Sequence, residues 1–372
     1  MRCLLLYASF GDGHLQVATA LKASLEQDFG LDVVMVDPFR TTNRHLAHAN
    51  EKLFEWTTAS APWLYGLSYY WTRNYSTNHV LWKLLAKLSR RAAWRALVEY
   101  SPDIVVQLFP DHALASLPAG VSPLISVVLT DYAVHSRWFH SAVDLYVFPT
   151  AAAELDSRRF RSLRAAAHVA GIPIREQFSV QEPHSVEANR SIVISAGGRG
   201  VFPDLADVVR IALSHFPEHR VIVLCGRNDA MRSRVSALSA SLESGNRVEA
   251  IGFTHDVARY FRRATLVIGK AGGVSTAECM ACGTPVIFYK PLPGQELENA
   301  RCIQQEGAGR VVRTIQELSN TLAAWSPSVD EQMRGCAKML ARPHAAREAA
   351  GAIVGAWQRR NASRGDDQGS RQ

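Results

Sequence analysis

No stretch of this 372-residue chain approaches the roughly 20 consecutive apolar residues that a membrane-spanning helix needs. The opening MRCLLLYASF is apolar for only about seven positions before Gly11, Asp12 and Gly13. It reads as a buried first strand and not as a secretory signal, which needs a cleavage site after its apolar core. No G-x-G-x-x-G occurs, which argues against a plain dinucleotide fold. The six cysteines (Cys3, Cys225, Cys279, Cys282, Cys302, Cys336) follow no pattern. Cys279 and Cys282 form one C-x-x-C with no second pair nearby, so buried thiols in a reducing cytosol are expected in place of zinc or a disulfide framework. Acidic residues are absent between Trp56 and Val98.

What is present suits a soluble globular protein of two domains. The hydrophobic fraction of 47% is ordinary, and the formal charge of +7 suggests an anionic partner: nucleic acid, an anionic membrane or a phosphorylated substrate. Short apolar runs alternate with helical patterns. Arg2–Ser9, Asp32–Asp37, Ile104–Phe109, Leu124–Thr130 and Leu145–Pro149 read as strands, with an amphipathic helix over Leu15–Phe29 and helical character across 43–100. Around Gly171–Asn189 the periodicity fades among prolines and polar residues, as in a linker. The pattern restarts with strands at Ser191–Ser195, Arg220–Cys225, Val248–Ile251, Leu266–Ile268 and Pro285–Tyr289, and a helix over Pro203–Phe216. The expected fold class is α/β, with parallel sheets in two Rossmann-like halves: 1–180, then 181–340, then a C-terminal helix and polar, disordered tail over 341–372. Two such halves facing each other give a cleft beyond the carboxyl ends of their strands, where ligands of open α/β sheets bind.

Three glycine turns fall at such ends. The most informative is IGKAGGVSTAECMACGTPVIFYKPLPGQELEN, from Ile268 to Asn299. Gly272 and Gly273 let backbone N–H groups approach a phosphate. Val274 and Ser275 open a helix whose positive end would face it. Glu278, one turn in, can reach ribose hydroxyls, and Gln295, Glu296 and Asn299 carry groups that grip sugar hydroxyls. Gly198 lies in the turn after Ser195. Arg227 ends another strand and can neutralise phosphate. Phe253 ends a third, where its backbone could pair with a pyrimidine edge.

In the first half, Gly11-Asp12-Gly13-His14 forms a turn into a helix. A helix N-terminus favours the neutral imidazole, so His14 suits a general base, with capping or packing as the plain alternative. Thr130-Asp131-Tyr132-Ala133-Val134-His135, with Trp138 and His140, follows a strand end. Asp131 could orient a histidine or act as a base. Asp131, His135 and His140 are metal-ligand types, but their spacing matches no tight zinc pattern, and no metal is expected. The acid-free segment holds five of the eight tryptophans (Trp56, Trp63, Trp71, Trp82, Trp94), several tyrosines including Tyr69 and Tyr70, and cations including Arg90 and Arg91. Interleaved aromatic and basic residues suit an anionic membrane interface. Core packing and single-stranded nucleic acid are the alternatives.

Three patterns together resemble the GT-B glycosyltransferases of family 28. They are the G-x-G-H turn at Gly11–His14, TDYxxHxxWxH from Thr130 to His140, and GKAGGVSTAE with PxPGQExEN from Gly269 to Asn299. More narrowly, the chain looks like the diacylglycerol glucosyltransferases and monogalactosyldiacylglycerol synthases. The resemblance implies two Rossmann-like domains facing across a cleft and inverting transfer of a hexose from a UDP-sugar to diacylglycerol, with UDP-glucose favoured over UDP-galactose or UDP-glucuronate. It implies no cofactor beyond that donor, and no nucleic-acid partner. His14 and Asp131 would be catalytic; Gly13, His135 and Trp138 would meet the acceptor. Gly198, Arg227, Phe253, Gly272, Gly273, Val274, Ser275, Glu278, Gln295, Glu296 and Asn299 would hold the donor. Trp63, Tyr69, Tyr70, Trp71, Trp82, Arg90 and Arg91 would meet anionic lipids on the cytoplasmic, inner face of the cell membrane. A lipid II-forming type of N-acetylglucosaminyltransferase, a UDP-sugar 2-epimerase and a non-catalytic membrane-binding protein are the competing readings.

Overall fold

A computed structural model describes residues 1–9, 12–42, 61–161, 164–179 and 191–369. Gly11, Trp56, the 180–189 part of the expected linker and the last three residues lie outside the described residues. The chain forms two compact units, 1–175 with 344–372, and 176–343.

The first unit holds β1 (Arg2–Leu6), β2 (Asp32–Val36), β3 (Ile104–Gln107), β4 (Leu124–Val128), β5 (Leu145–Phe148) and β6 (Ala166–Val169). They form one parallel sheet in the order β2-β1-β3-β4-β5-β6. Strands β3 and β4 are short Val/Ile-rich runs buried at every position, as a sheet covered on both faces requires. Leu4, Val105, Ile125, Val127, Tyr146 and Phe148 belong to one core cluster. Strand β6, Ala-Ala-His-Val, is a largely exposed edge with little apolar content, which is why its composition hides it. Helices α1 (Asp12–Gln27), α2 (Pro38–Thr42), α3 (Pro62–Thr72), α4 (Val80–Leu85), α5 (Lys87–Tyr100) and α6 (Ala151–Ser157) complete this part of the unit. Helix α1 buries Val17, Ala18, Leu21 and Leu25, the stripe expected of a helix joining β1 to β2.

The second unit repeats the plan. Strands β7 (Ser191–Ser195), β8 (Arg220–Leu224), β9 (Val248–Ile251), β10 (Ala264–Gly269), β11 (Val286–Tyr289) and β12 (Gly309–Val312) alternate with helices. These are α7 (Leu205–His215), α8 (Asp229–Ser241), α9 (Val257–Arg262), α10 (Gly273–Ala281), α11 (Gln295–Gln305), α12 (Ile315–Ala323) and α13 (Pro327–Leu340). The parallel order is β12-β11-β10-β7-β8-β9.

A last helix, α14 (Ala345–Gly369), belongs to the first unit. It buries Ala345, Ala349, Ala350 and Ile353 completely. Arg360 pins it by donating from Nη1 to the Pro123 carbonyl at 2.6 Å and to Asp144 Oδ2 at 3.0 Å. Helix therefore occupies most of the stretch that composition assigned to a disordered tail, where Arg360 finds acceptors just ahead of β4 and β5.

Candidate active site

Parallel strands send all their carboxyl ends one way, so the loops that follow them share one edge of the sheet. In the first unit, the loop after β1 leads into α1 and His14. The loop after β2 starts with Asp37, whose Oδ2 accepts from the Ser9 amide at 3.0 Å and the Ser9 hydroxyl at 2.6 Å. The loop after β3 carries Asp111 and His112, and that after β4 carries Thr130 and Asp131.

His14 lies in the first turn of α1, beside Gly13 and half-buried. Its Nδ1 is 3.3 Å from the Thr130 hydroxyl, and the imidazole also hydrogen-bonds the Leu108 carbonyl. Burial lowers its pKa below the usual histidine range; the nearby Asp131 charge and the Leu108 bond oppose that shift without cancelling it. The ring is thus held neutral between two strand-end loops, in the state a general base needs. Asp131 is itself buried.

The loop after β3 adds two buried groups, Asp111 and His112, that the sequence patterns did not single out. Asp111 is buried, accepts from Ser89 Oγ and takes the His112 amide on Oδ1 at 2.8 Å. Burial raises its carboxyl, with Arg137 acting against it. Burial depresses His112 to about 4, His135 to about 4 and His140 to about 3, and Arg137 adds to the first two shifts. The signal was available: Asp-His falls in the loop after a strand, as Thr-Asp does at 130–131.

The acceptor-side expectations divide. His135 is buried, and both ring nitrogens have partners: Nδ1 accepts from the Arg137 amide at 3.1 Å, and Nε2 lies 3.3 Å from the Thr72 hydroxyl. It holds a loop against α3 and offers no open face. Trp138 is 1% exposed within the core cluster, so packing replaces its expected acceptor contact. Thr72 and Arg73 fasten the end of α3 to this loop. The Ser136 amide and hydroxyl donate to the Arg73 and Thr72 carbonyls at 3.0 and 3.1 Å, and Arg73 Nε donates to the Val134 carbonyl at 3.2 Å.

The membrane-facing expectations divide as well. Trp63 and Trp71 are 64% and 72% exposed, with Leu67 between them at 62%. Spacing of four residues puts all three on one helix face. Tyr70 and Arg91 are exposed too. Trp82 is not; it is 3% exposed, with ring contacts to Tyr75, His79, His112 and His135. Composition picked it out with the other aromatics, but it sits on the separate helix α4 with its ring packed inward, so its aromatic character marked core. Tyr69 is half-buried with its ring centroid 4.9 Å from that of His135, and Arg90 is half-buried with its Nε enclosed.

The second unit offers backbone where the first offers side chains. Gly272 caps α10 in extended conformation, and Gly273, Val274 and Ser275 form its first turn. A helix of this length presents free N–H groups and a positive end, which suits phosphate. Glu278 follows one turn in and is buried. Asn299 is fully buried and donates to the Ala271 carbonyl at 3.2 Å. Its expected contact with a sugar is replaced by support of the loop ahead of α10, because its amide is enclosed behind that loop. Gln295 opens α11, and Glu296 Oε2 accepts from the Leu292 amide at 3.1 Å. Gly198 accepts from the Arg227 amide at 2.9 Å, which locks the turn after β7 to the turn after β8. Gly226 has φ +56, and a Cβ there would stand 2.4 Å from the Gly197 oxygen. The Arg227 guanidinium lies over the half-exposed Phe253 ring at 4.1 Å.

Cys279 and Cys282 are buried free thiols, raised by burial, the second to about 12. Among the described residues, no group of His, Cys, Asp or Glu is arranged to hold a metal ion, and no helix is long and apolar enough to cross a membrane.

Comparison with known proteins divides the chain at the same place. Residues 14–174 match the monogalactosyldiacylglycerol synthase family model, and residues 191–349 match the glycosyltransferase family 28 C-terminal domain. A processive diacylglycerol beta-glucosyltransferase of Bacillus mycoides is 30% identical over 366 residues, 95% of this chain and 92% of that one. The Bacillus subtilis enzyme of the same name is 28% identical over 338 residues, 87% and 86% of the two chains. Among solved structures, MurG of Acinetobacter baumannii has a TM-score of 0.61 at 15% identity, covering 95% of this chain and 99% of that one. The glycosyltransferase SnogD of Streptomyces nogalater has 0.60 at 14%, covering 96% and 99%. At that identity the likeness shows the fold, which is GT-B.

Proposed function

This chain belongs to the diacylglycerol glucosyltransferase family, and from that membership we propose that it transfers a hexose from a UDP-sugar to diacylglycerol with inversion, glucose being the favoured hexose. The observation that carries the reading is a neutral imidazole, His14, held between Thr130 and Leu108 in a unit that also exposes an aromatic, cation-flanked helix.

In this reading the acceptor hydroxyl attacks the anomeric carbon from the face opposite UDP. The C–O bond to the acceptor forms as the bond to the diphosphate breaks, through an oxocarbenium-like transition state. His14 takes the hydroxyl proton, and Asp131 stabilises the imidazolium that results. UDP leaves with its new charge facing the Gly272–Ser275 helix end and the Arg227 cation, which take the part a metal ion plays elsewhere. Glu278 meets the ribose, the Phe253 backbone meets the uracil, and Gln295 and Glu296 meet the sugar. Trp63, Leu67 and Trp71 enter the headgroup region of an anionic bilayer on the inner face of the cell membrane. Exposed Lys83, Lys87, Arg91 and Arg95 are drawn to its charge.

The test uses the full chain with vesicles of diacylglycerol and phosphatidylglycerol, supplied in turn with UDP-glucose, UDP-galactose and UDP-glucuronate. The lipid products are read by mass. Hexosyl diacylglycerol, formed fastest from UDP-glucose, is the expected product. No lipid product, with the free UDP-sugar epimerised, would overturn the reading.

A further inference from the structure

Three non-glycine residues have positive φ among the described residues, and two of them face each other in one ion pair. Asp204 has φ +48 and Lys290 has φ +48. Lys290 Nζ reaches Asp204 Oδ2 at 2.5 Å, and the Tyr289 hydroxyl donates to the same oxygen at 2.7 Å. Asp204 is the residue just before α7, yet its side chain caps nothing there. The carboxylate is turned away from the helix it precedes and toward the end of β11. Phe202 follows it across, its ring stacked on Tyr289 at 5.8 Å.

The charge pair alone does not explain this arrangement. Both charged side chains are well exposed, at 40% and 38%, and an exposed ion pair returns little. A left-handed backbone at two residues with a Cβ costs more than such a pair returns. Residues held this way gather where a loop must keep a particular shape for a ligand.

The topology says which loops are held. Strand β10 lies between β7 and β11, and all three are parallel. Asp204 closes the loop after β7, the loop of Gly198, and Lys290 opens the loop after β11, which leads to Gln295 and Glu296 at the start of α11. Between them, after β10, comes the Gly272–Ser275 turn. The same β7 loop is tied on its other side, where the Asn228 amide donates to the Gly200 carbonyl at 2.7 Å. The Asp204–Lys290 contact is thus a strap from one donor loop to another, spanning the sheet position that carries the phosphate turn.

We propose that Asp204 and Lys290 are a positioning pair for the donor, which fixes the glycine loop and the sugar loop relative to the phosphate turn and so sets UDP-sugar affinity. The inference rests on the donor reading of the second unit. Neither residue takes part in the displacement itself, so the pair acts on binding of the nucleotide sugar and not on the chemical step.

The experiment compares wild type, Asp204→Asn, Lys290→Ala, Lys290→Arg and the Asp204→Asn/Lys290→Ala double variant as full chains. Calorimetry gives Kd for UDP; steady-state assays give KM for the UDP-sugar and kcat; thermal unfolding gives Tm. Each of the two disruptive single variants raises Kd and KM about tenfold, leaves kcat within about twofold and leaves Tm nearly unchanged. Lys290→Arg keeps most of the affinity. The double variant is no worse than the weaker single, since each removes the same contact. Variants that bind UDP like wild type, or losses that multiply in the double, would overturn the pair while leaving the donor reading in place. A wild type that binds no UDP would overturn both.

Discussion

The two units put their candidate chemistry in different parts of the chain. The first builds from side chains: His14 at the start of α1, and the buried Asp111, His112, Asp131, His135 and His140 in strand-end loops, with Trp82 against His112 and His135 and Tyr69 against His135. The second builds from backbone, with Gly198, Gly226, Gly272 and Gly273 clearing space and the start of α10 supplying N–H groups. The contrast follows the ligands proposed for each. A base must keep one protonation state, which burial and a fixed partner provide. A diphosphate is already charged and is held by many small dipoles aimed at it.

His14→Ala carries the largest effect and tests the first half of that contrast. Transfer should fall about 10²- to 10⁴-fold at saturating substrates, the range for a positioned general base, with the fold intact by circular dichroism. Wild-type kcat/KM should hold as pH falls to the usual histidine pKa and decline only below it, since burial depresses His14.

Acid should next separate the two units. His112, His135 and His140 titrate far lower when folded than when unfolded, so the unfolded chain binds more protons as pH falls. Stability is therefore unaffected above about pH 7 and falls below about 6.5, by on the order of 1 kcal/mol per histidine at about pH 5.5. Hydrogen exchange across that range should show the first unit opening before the second. Equal loss in both would break the comparison.

Gly226→Ala tests the second half. The added Cβ would meet the Gly197 oxygen at 2.4 Å, and the backbone there is left-handed at φ +56. Unfolding should show a loss of about 2 kcal/mol, with weaker UDP binding. Gly272→Ala, where nothing lies within 4 Å of the added Cβ, should cost only the small difference between glycine and alanine as a helix cap, so a loss of UDP binding as large as that at Gly226 would report on the phosphate site.

The smallest effect is at the surface. Trp63→Ser with Trp71→Ser should weaken binding to phosphatidylglycerol vesicles about tenfold and spare activity on detergent-dispersed acceptor. Flotation and a paired assay measure both.

The same contrast explains what was legible in the sequence. Glycine turns after apolar runs announce a backbone site, so Gly272, Gly273 and the start of α10 were readable directly. So was the restart of the strand pattern near Ser191. Side-chain sites depend on burial, which spacing does not give. Trp82 and Trp138 looked like contact residues and are core; Asn299 looked like a sugar ligand and supports the Ala271 loop. Asp111 and His112 carried the same strand-end signal as Asp131 but stood outside the recognised pattern. The exposed edge strand β6 was hidden by its low apolar content, and the run of the C-terminal helix beyond Arg359 by partners far along the chain, such as the Pro123 carbonyl that receives Arg360.

The division of labour between the units is tested most directly by titrating UDP into His14→Ala by calorimetry. If the donor is held by the second unit and the base sits in the first, Kd stays within about twofold of wild type while glycolipid formation is lost. A variant that loses UDP binding along with transfer would contradict it.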